Sequence, residues 1–262
     1  MTGLVATREE GGVLFLTLRR PEKRNALSRA MIAELEEAFA RWREDPEIRL
    51  AVLSGEGEKA FASGGDLKEL SALREEAEAR SFAKQTRAAL DAIRRFPLPV
   101  VAALNGDALG GGAELALACD LRIAAPHARI GFLQGRLNIG TAWGGGIDLF
   151  RLLGCARALF LLASAEALDA ARAFDLGLVD AVAPKGESFA HFSAGFAGRL
   201  AARKPQVMRA FKALAIAYRF GAPAAEMAEI ESRAFARSWV HADHWDAAEA
   251  LFPRGGPLLP EG

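Results

Sequence analysis

Val100 to Ala124 reads VVAALNGDALGGGAELALACDLRIA, and the rest of the chain can be arranged around it. Val100 to Leu104 is an apolar, partly β-branched run of strand length, ended by the turn pair Asn105-Gly106. The triplet Gly110-Gly111-Gly112 follows, and then a helical stretch whose single carboxylate is Glu114. Glycines at a strand-to-helix junction let the backbone approach a ligand closely. They also leave the first N–H groups of the helix unpaired, where they can hold a developing negative charge. A tight turn whose glycines serve packing alone accounts for the same residues.

A second stretch repeats the arrangement. Lys59-Ala60-Phe61-Ala62-Ser63-Gly64-Gly65-Asp66-Leu67-Lys68-Glu69 follows the apolar strand Leu50 to Leu53 and again sets glycine before a helix. Further out, Val13 to Leu18 reads as a strand ended by Arg19-Arg20-Pro21, because proline cannot continue a ladder. Met31, Ile32, Leu35, Phe39 and Trp42 recur at helical spacing behind Ser28, a suitable cap. Glu69 to Arg95 reads as a charged helix with a break near Ala72, closed by Pro97 and Pro99. Leu121 to Ala124 and Ile130 to Phe132 are short strand candidates. Gly140 to Gly146 is a second glycine-rich turn, containing Trp143. Helices are expected over Asp148–Leu153, Ala156–Ala163 and Glu166–Phe174, with a late strand over Leu178–Val182. Beyond Glu187 the chain is alanine-rich and helical.

Strand–helix alternation first and helices last place the chain in the α/β class with an all-helical C-terminal part. At 262 residues and 51% apolar content it can bury a substantial core. Its 33 basic and 33 acidic residues cancel, which argues against a nucleic-acid partner or a charged membrane surface. The N-terminus lacks the pattern of a signal peptide, and no stretch of ~18 apolar residues predicts a membrane span. A cytoplasmic location is therefore expected. Cys119 and Cys155 both sit in apolar sequence and read as small buried hydrophobes. His241, Asp243 and His244 lack further ligands at metal-binding spacing, so no metal site is expected.

Ala60 to Glu69 is similar to the pattern A-F-x-A-G-x-D-[LI]-K-E of the crotonase (enoyl-CoA hydratase/isomerase) superfamily, with Ser63 and Gly65 as small-residue variants. Asn105 to Asp120 matches N-G-x-A-x-G-G-G-x-E-L-x-x-x-C-D, and Arg20 to Leu27 matches R-P-x-x-x-N-A-L. Agreement continues through Leu176-Gly177-Leu178-Val179-Asp180, so the resemblance covers nearly the whole chain. It implies a ββα superhelical core over residues 1–186 that binds acyl-CoA. Residues 187–262 would be helical, serving oligomerisation and active-site cover, in a homotrimer or hexamer. Coenzyme A would arrive as part of the substrate, with no separate cofactor.

The resemblance further implies that the amides of Gly65 and Gly111 grip the thioester carbonyl and that Glu114 is the catalytic carboxylate. Read on its own, Glu114 is equally explained as a favourable charge at a helix start. Ser63 and Leu67 match positions near adenine, and Ala26 and Asp66 fall in the same CoA-binding motifs. Arg24, Lys59 and Lys68 match or adjoin the region facing the CoA phosphates; as plain residues they are also ordinary surface cations. Asp107 reads as structural. One position departs from the family. Hydratases usually carry a second glutamate twenty positions after the first, where this chain has Gln134; a two-residue shift would place Arg136 there. Neither is a general base near neutral pH. Hydration of a 2-enoyl-CoA is the leading expectation. Decarboxylation of an ethylmalonyl- or methylmalonyl-type thioester comes second, double-bond isomerisation third, and a catalytically weak CoA-binding scaffold is the non-enzymatic alternative.

Overall fold

The computed structural model describes residues 3–251. The chain opens with a hairpin, β1 (Val5–Glu10) antiparallel to β2 (Val13–Leu18), turning at Gly11-Gly12. Helix α1 (Arg29–Arg41) follows; the Ser28 side chain accepts from the Met31 amide at 3.2 Å and caps it. Its buried stripe is Met31, Ile32, Leu35, Ala38 and Phe39, and Phe39 meets Phe96 edge-on at 5.1 Å.

From there a two-strand, one-helix unit recurs. First come β3 (Leu50–Gly55) and β4 (Ala60–Ala62), with helices α2 (Leu67–Leu70) and α3 (Glu76–Arg94). Next are β5 (Val100–Leu104), β6 (Asp107–Leu109) and α4 (Gly111–Ala118). Then follow β7 (Leu121–Ala124) and β8 (Arg129–Gly131), a 3₁₀ turn over Leu133–Leu137, α5 (Gly145–Leu153) and α6 (Cys155–Ser164). Each unit gives its first strand to one sheet and its second to another. The larger sheet runs β1-β2-β3-β5-β7, parallel after the hairpin, and ends in β10 (Ala181–Val182). The smaller runs β4-β6-β8 in parallel, with β9 (Ala167–Asp169) antiparallel at its edge. This is the expected α/β architecture of stacked ββα turns.

The all-apolar sequence of β5 follows from its place: a central parallel strand is covered on both faces, and all five of its residues are buried. Two motif asparagines hold the turn between β3 and β4. Asn25 Nδ2 and Asn105 Nδ2 both donate to the Ala60 carbonyl, at 2.8 and 3.2 Å, while Asn105 Oδ1 accepts from the Gly55 amide at 2.8 Å. The R-P-x-x-x-N and N-G motifs thus meet to aim the segment that becomes Ser63–Gly65.

The helical break expected near Ala72 is the gap between α2 and α3. The helix expected over Glu166–Phe174 is not continuous. Its start is drawn into β9, where Leu168 pairs with Ile130, and Asp169 then caps α7 (Ala170–Asp175) by accepting from the Arg172 amide at 2.8 Å. Cys119 is buried, but Cys155 is exposed at the start of α6, contrary to expectation. The C-terminal region is helical: α8 (Phe189–Ala201), α9 (Pro205–Arg219), α10 (Ala224–Trp239) and α11 (Ala242–Leu251), with residues 252–262 outside the described ones. The first compact unit extends past residue 186 to Pro205, because Ala197 and Ala201 of α8 pack on Val13, Val52 and Ile123 of the larger sheet. The second unit begins at Gln206. No helix among the described residues is long and apolar enough to cross a membrane.

Candidate active site

The parallel strands of the smaller sheet deliver their carboxyl ends to one place, where open α/β sheets commonly bind ligands. Ser63–Gly65 follow β4, Gly110 and Gly111 follow β6, and Gln134 lies just beyond β8; all line a cavity of about 450 Å³. Leu67, Leu70, Phe82 and Ile139 make its wall largely apolar.

Gly110 turns the chain at φ 54°, so that α4 can start at Gly111 immediately after the strand. Among the described residues, neither the Gly65 nor the Gly111 amide has a hydrogen-bond acceptor. The indole of Trp143 lies against both glycines: a Cβ on Gly65 would sit 3.2 Å from its Cη2, and one on Gly111 would overlap the ring at Cζ3. Phe82 braces that indole edge-on at 6.1 Å.

Glu114 lies on the first turn of α4 and is 2% exposed. Its Oε2 accepts from the amides of Trp143 at 2.8 Å and Gly145 at 3.0 Å. Its Oε1 accepts from Gln134 Nε2 at 2.9 Å and, more loosely, from the Ala142 amide at 3.4 Å. Burial pushes the carboxyl pKa upward; the donors from Trp143, Gly145, Ala142 and Gln134 pull against that without cancelling it. Gly145 can be only glycine, since a Cβ there would come within 2.6 Å of the Glu114 side chain. Gln134 is 8% exposed; with Nε2 given to Glu114, its buried Oε1 is left without a donor among the described residues.

Gly65, Gly111, Glu114, Gln134, Ser63 and Leu67 are therefore brought together as cavity-lining residues, and Arg136 joins them. Arg24, Ala26, Lys59, Asp66 and Lys68 do not line the cavity. Asp66 is the cap of α2: its Oδ1 accepts from the Lys68 and Glu69 amides, its Oδ2 meets Arg20 at 2.7 Å, and the Arg20 bond chiefly lowers its pKa. Ala26 belongs to the segment that runs beside the loop, where the Ser63 amide donates to the Arg24 carbonyl at 3.1 Å. Arg24 and Lys59 share a separate depression with Asp107, His127 and Arg129 at the amino ends of the same strands. There Asp107 is structural as expected, bound to Arg24 at 3.1 Å and Arg129 at 2.6 Å.

Sequence reasoning missed the amides of Ala142 and Gly145 and the brace Phe82. Trp143 was singled out as part of a glycine-rich turn and of a stretch similar to the ethylmalonyl-CoA decarboxylase branch, not as a contact of Glu114, Gly65 or Gly111. The available signal was that turn itself, since consecutive glycines let backbone approach other groups closely, as Gly145 does Glu114.

Residues 8–250 match the family model described as Enoyl-CoA hydratase/isomerase. The chain is similar to the Crotonyl-CoA hydratase of Syntrophomonas wolfei, 35% identical over 214 residues that cover 80% of each protein. It is 40% identical over 169 residues to the mouse "Enoyl-CoA hydratase domain-containing protein 2, mitochondrial", a match spanning 64% of this chain and 57% of that protein. Among solved structures, an enoyl-CoA hydratase from Bacillus anthracis superposes with a TM-score of 0.88 at 31% identity, covering 98% of both chains.

Proposed function

Because the chain belongs to the enoyl-CoA hydratase/isomerase family of the crotonase superfamily, we propose that it hydrates a 2-enoyl-CoA thioester with Glu114 as its one proton-transferring carboxylate. The observation that carries this reading is a single buried carboxylate of raised proton affinity in an apolar cavity that also holds the Gly65 and Gly111 amides. The thioester oxygen sits between those two amides, which hold the negative charge as the enolate forms. Losing one such donor typically costs about 3–4 kcal/mol of barrier. Ionised Glu114 takes a proton from water as the water oxygen bonds to Cβ. The same proton then passes from Glu114 to Cα, collapsing the enolate to the 3-hydroxyacyl thioester. Water is consumed whole and Glu114 returns to its starting state.

Gln134 suits a carboxylate that changes protonation. Its Nε2 donates to ionised Glu114; after a half-turn of the amide, Oε1 can accept from the protonated acid. It transfers no proton itself, so hydration by this chain is expected to be slow for a family member. A second reading, loss of CO₂ from a malonyl-type thioester, is favoured by Arg136, a cation lining the same cavity with its Nε anchored on the Ala165 carbonyl at 2.8 Å. The two are separated by incubating the protein with crotonyl-CoA and, separately, ethylmalonyl- and methylmalonyl-CoA, then identifying products by mass. A gain of 18 Da on crotonyl-CoA supports hydration; loss of 44 Da from a malonyl-type ester, with crotonyl-CoA untouched, overturns it.

A further inference from the structure

A buried cation stands behind the site without touching the cavity. Arg94, near the end of α3, is 3% exposed, and each of its guanidinium nitrogens has a partner. Nε donates to Asp148 Oδ2 at 2.9 Å, Nη1 to Asp91 Oδ1 at 2.9 Å, and Nη2 to the Trp143 carbonyl at 2.9 Å. Asp148 is itself 6% exposed and lies on the first turn of α5, with Arg151 approaching it at 4.0 Å. Gly144, at φ 94°, passes directly over Arg94: a Cβ there would be 2.8 Å from Nη2.

The turn 143–145 thus runs between a buried guanidinium and a buried carboxylate. The Trp143 carbonyl faces Arg94, while the amides of Trp143 and Gly145 face Glu114 Oε2. The three successive peptide units of this turn point the same way, N–H toward Glu114 and C=O away from it, so fixing the Trp143 carbonyl on one side restrains the flanking donors on the other. The fork matters more than the charge. Asp91 and Asp148 already offset the guanidinium, and no charged side chain hydrogen-bonds Glu114 among the described residues; it is met by Gln134 and backbone amides alone.

We infer that Arg94 is a positioning residue: by clamping the Trp143 carbonyl between α3 and α5, it holds the two amides that donate to Glu114 Oε2 and the indole that packs on Gly65 and Gly111. The inference rests on the assignment of Glu114 as the proton-transferring group only for its effect on rate. Its effect on Glu114 itself can be read without turnover.

The test uses the full-length chain as Arg94→Lys, which keeps the charge but cannot serve three acceptors in a planar fork. It adds Arg94→Met/Asp148→Leu, which removes the buried pair together and so leaves no unpaired buried charge on Asp148. Glu114 is titrated by carboxyl ¹³C NMR in glutamate-labelled protein, its signal assigned by loss in Glu114→Gln. With the amides loosened, the ionised form loses donors, so the Glu114 midpoint should rise by about one pH unit in both variants. The acid limb of kcat/KM should move up with it, and kcat should fall about tenfold while KM changes little. A Glu114 midpoint unmoved in folded variants overturns the inference, as does a wild-type midpoint in Arg94→Lys, which would make charge sufficient. If Arg94→Lys does not fold, the paired variant decides. A moved midpoint with an unmoved kcat/KM profile sustains the role of Arg94 and instead sinks the role given to Glu114.

Discussion

Trp143 donates its backbone amide to Glu114 Oε2 at 2.8 Å while its indole ring lies against Gly65 and Gly111. One residue therefore touches the carboxylate through its main chain and both candidate oxyanion glycines through its side chain. Predictions about any of these four positions are coupled through it.

Glu114→Gln removes the proposed proton-transferring group while nearly preserving shape. We expect kcat to fall by ~10²-fold or more with CoA-ester binding little changed. Steady-state kinetics beside calorimetric binding of a saturated acyl-CoA checks this. Unchanged turnover on every accepted substrate would remove Glu114 from the mechanism.

Burial raises the Glu114 pKa, and the sign of the consequence is definite. The base works ionised, so kcat/KM should switch on with rising pH at an acid limb above the usual glutamate value of 4.5. The folded state binds the proton more tightly than the unfolded chain. Its contribution to stability is thus fully present below about pH 4.5 and is lost as pH rises through the folded value. Urea unfolding of wild type and Glu114→Gln across this window should show wild type losing stability relative to the variant. A constant difference would contradict the raised pKa.

Gln134→Glu places a second carboxyl in hydrogen-bond contact with Glu114, where the amide now sits at 2.9 Å. The pair should share a proton and titrate in two separated steps. Hydration of crotonyl-CoA should rise, because a second acid/base group is supplied. Decarboxylation of a malonyl-type ester should fall, since another negative charge would face the substrate carboxylate in a low-dielectric pocket. If neither rate moves, Gln134 has no part in the chemistry.

Gly111→Ala drives a methyl group into the Trp143 ring. Turnover should fall by ~10²-fold or more, because the amide proposed to hold the enolate is displaced. Adding Trp143→Leu should recover part of that loss, although Trp143→Leu alone is harmful. A double-mutant cycle over kcat/KM measures the coupling, and strict additivity would show that the ring does not position the amide.

Assembly can be tested on the second compact unit, where Phe211, Phe235 and Val240 are 66%, 60% and 76% exposed. Apolar side chains at that density suit burial against another copy. Sedimentation at micromolar concentration should give a trimer or hexamer; a monomer alone would overturn this.

Much of the architecture was legible because it is local. The buried run Val100–Leu104, the asparagine turn and the glycine triplet lie within a dozen residues of one another, and periodicity with turn chemistry specifies a strand, a bend and a helix start there. The motif glycines and Glu114 were legible for the same reason. Where sequence reading failed, a distant partner intervened. Leu168 is a strand because Ile130 offers an open edge, and α8 belongs to the first unit because its alanines cover the larger sheet. Nothing within either segment announces those neighbours.

The sequence by itself pointed to four groups of the candidate site: two glycine amides, one glutamate, and a glutamine amide where the family usually carries a second carboxylate. Only the tertiary structure decided how they act on one another. Gln134 reaches Glu114 across 20 residues, Trp143 across 29, and Arg94 reaches Asp148 across 54. It also set Arg24 and Lys59 at the amino ends of the strands whose carboxyl ends form the cavity. The physical reason is that proton affinity depends on burial and on donor geometry. Both are properties of what packs around a carboxyl group, and in this chain those neighbours come from segments far away in sequence.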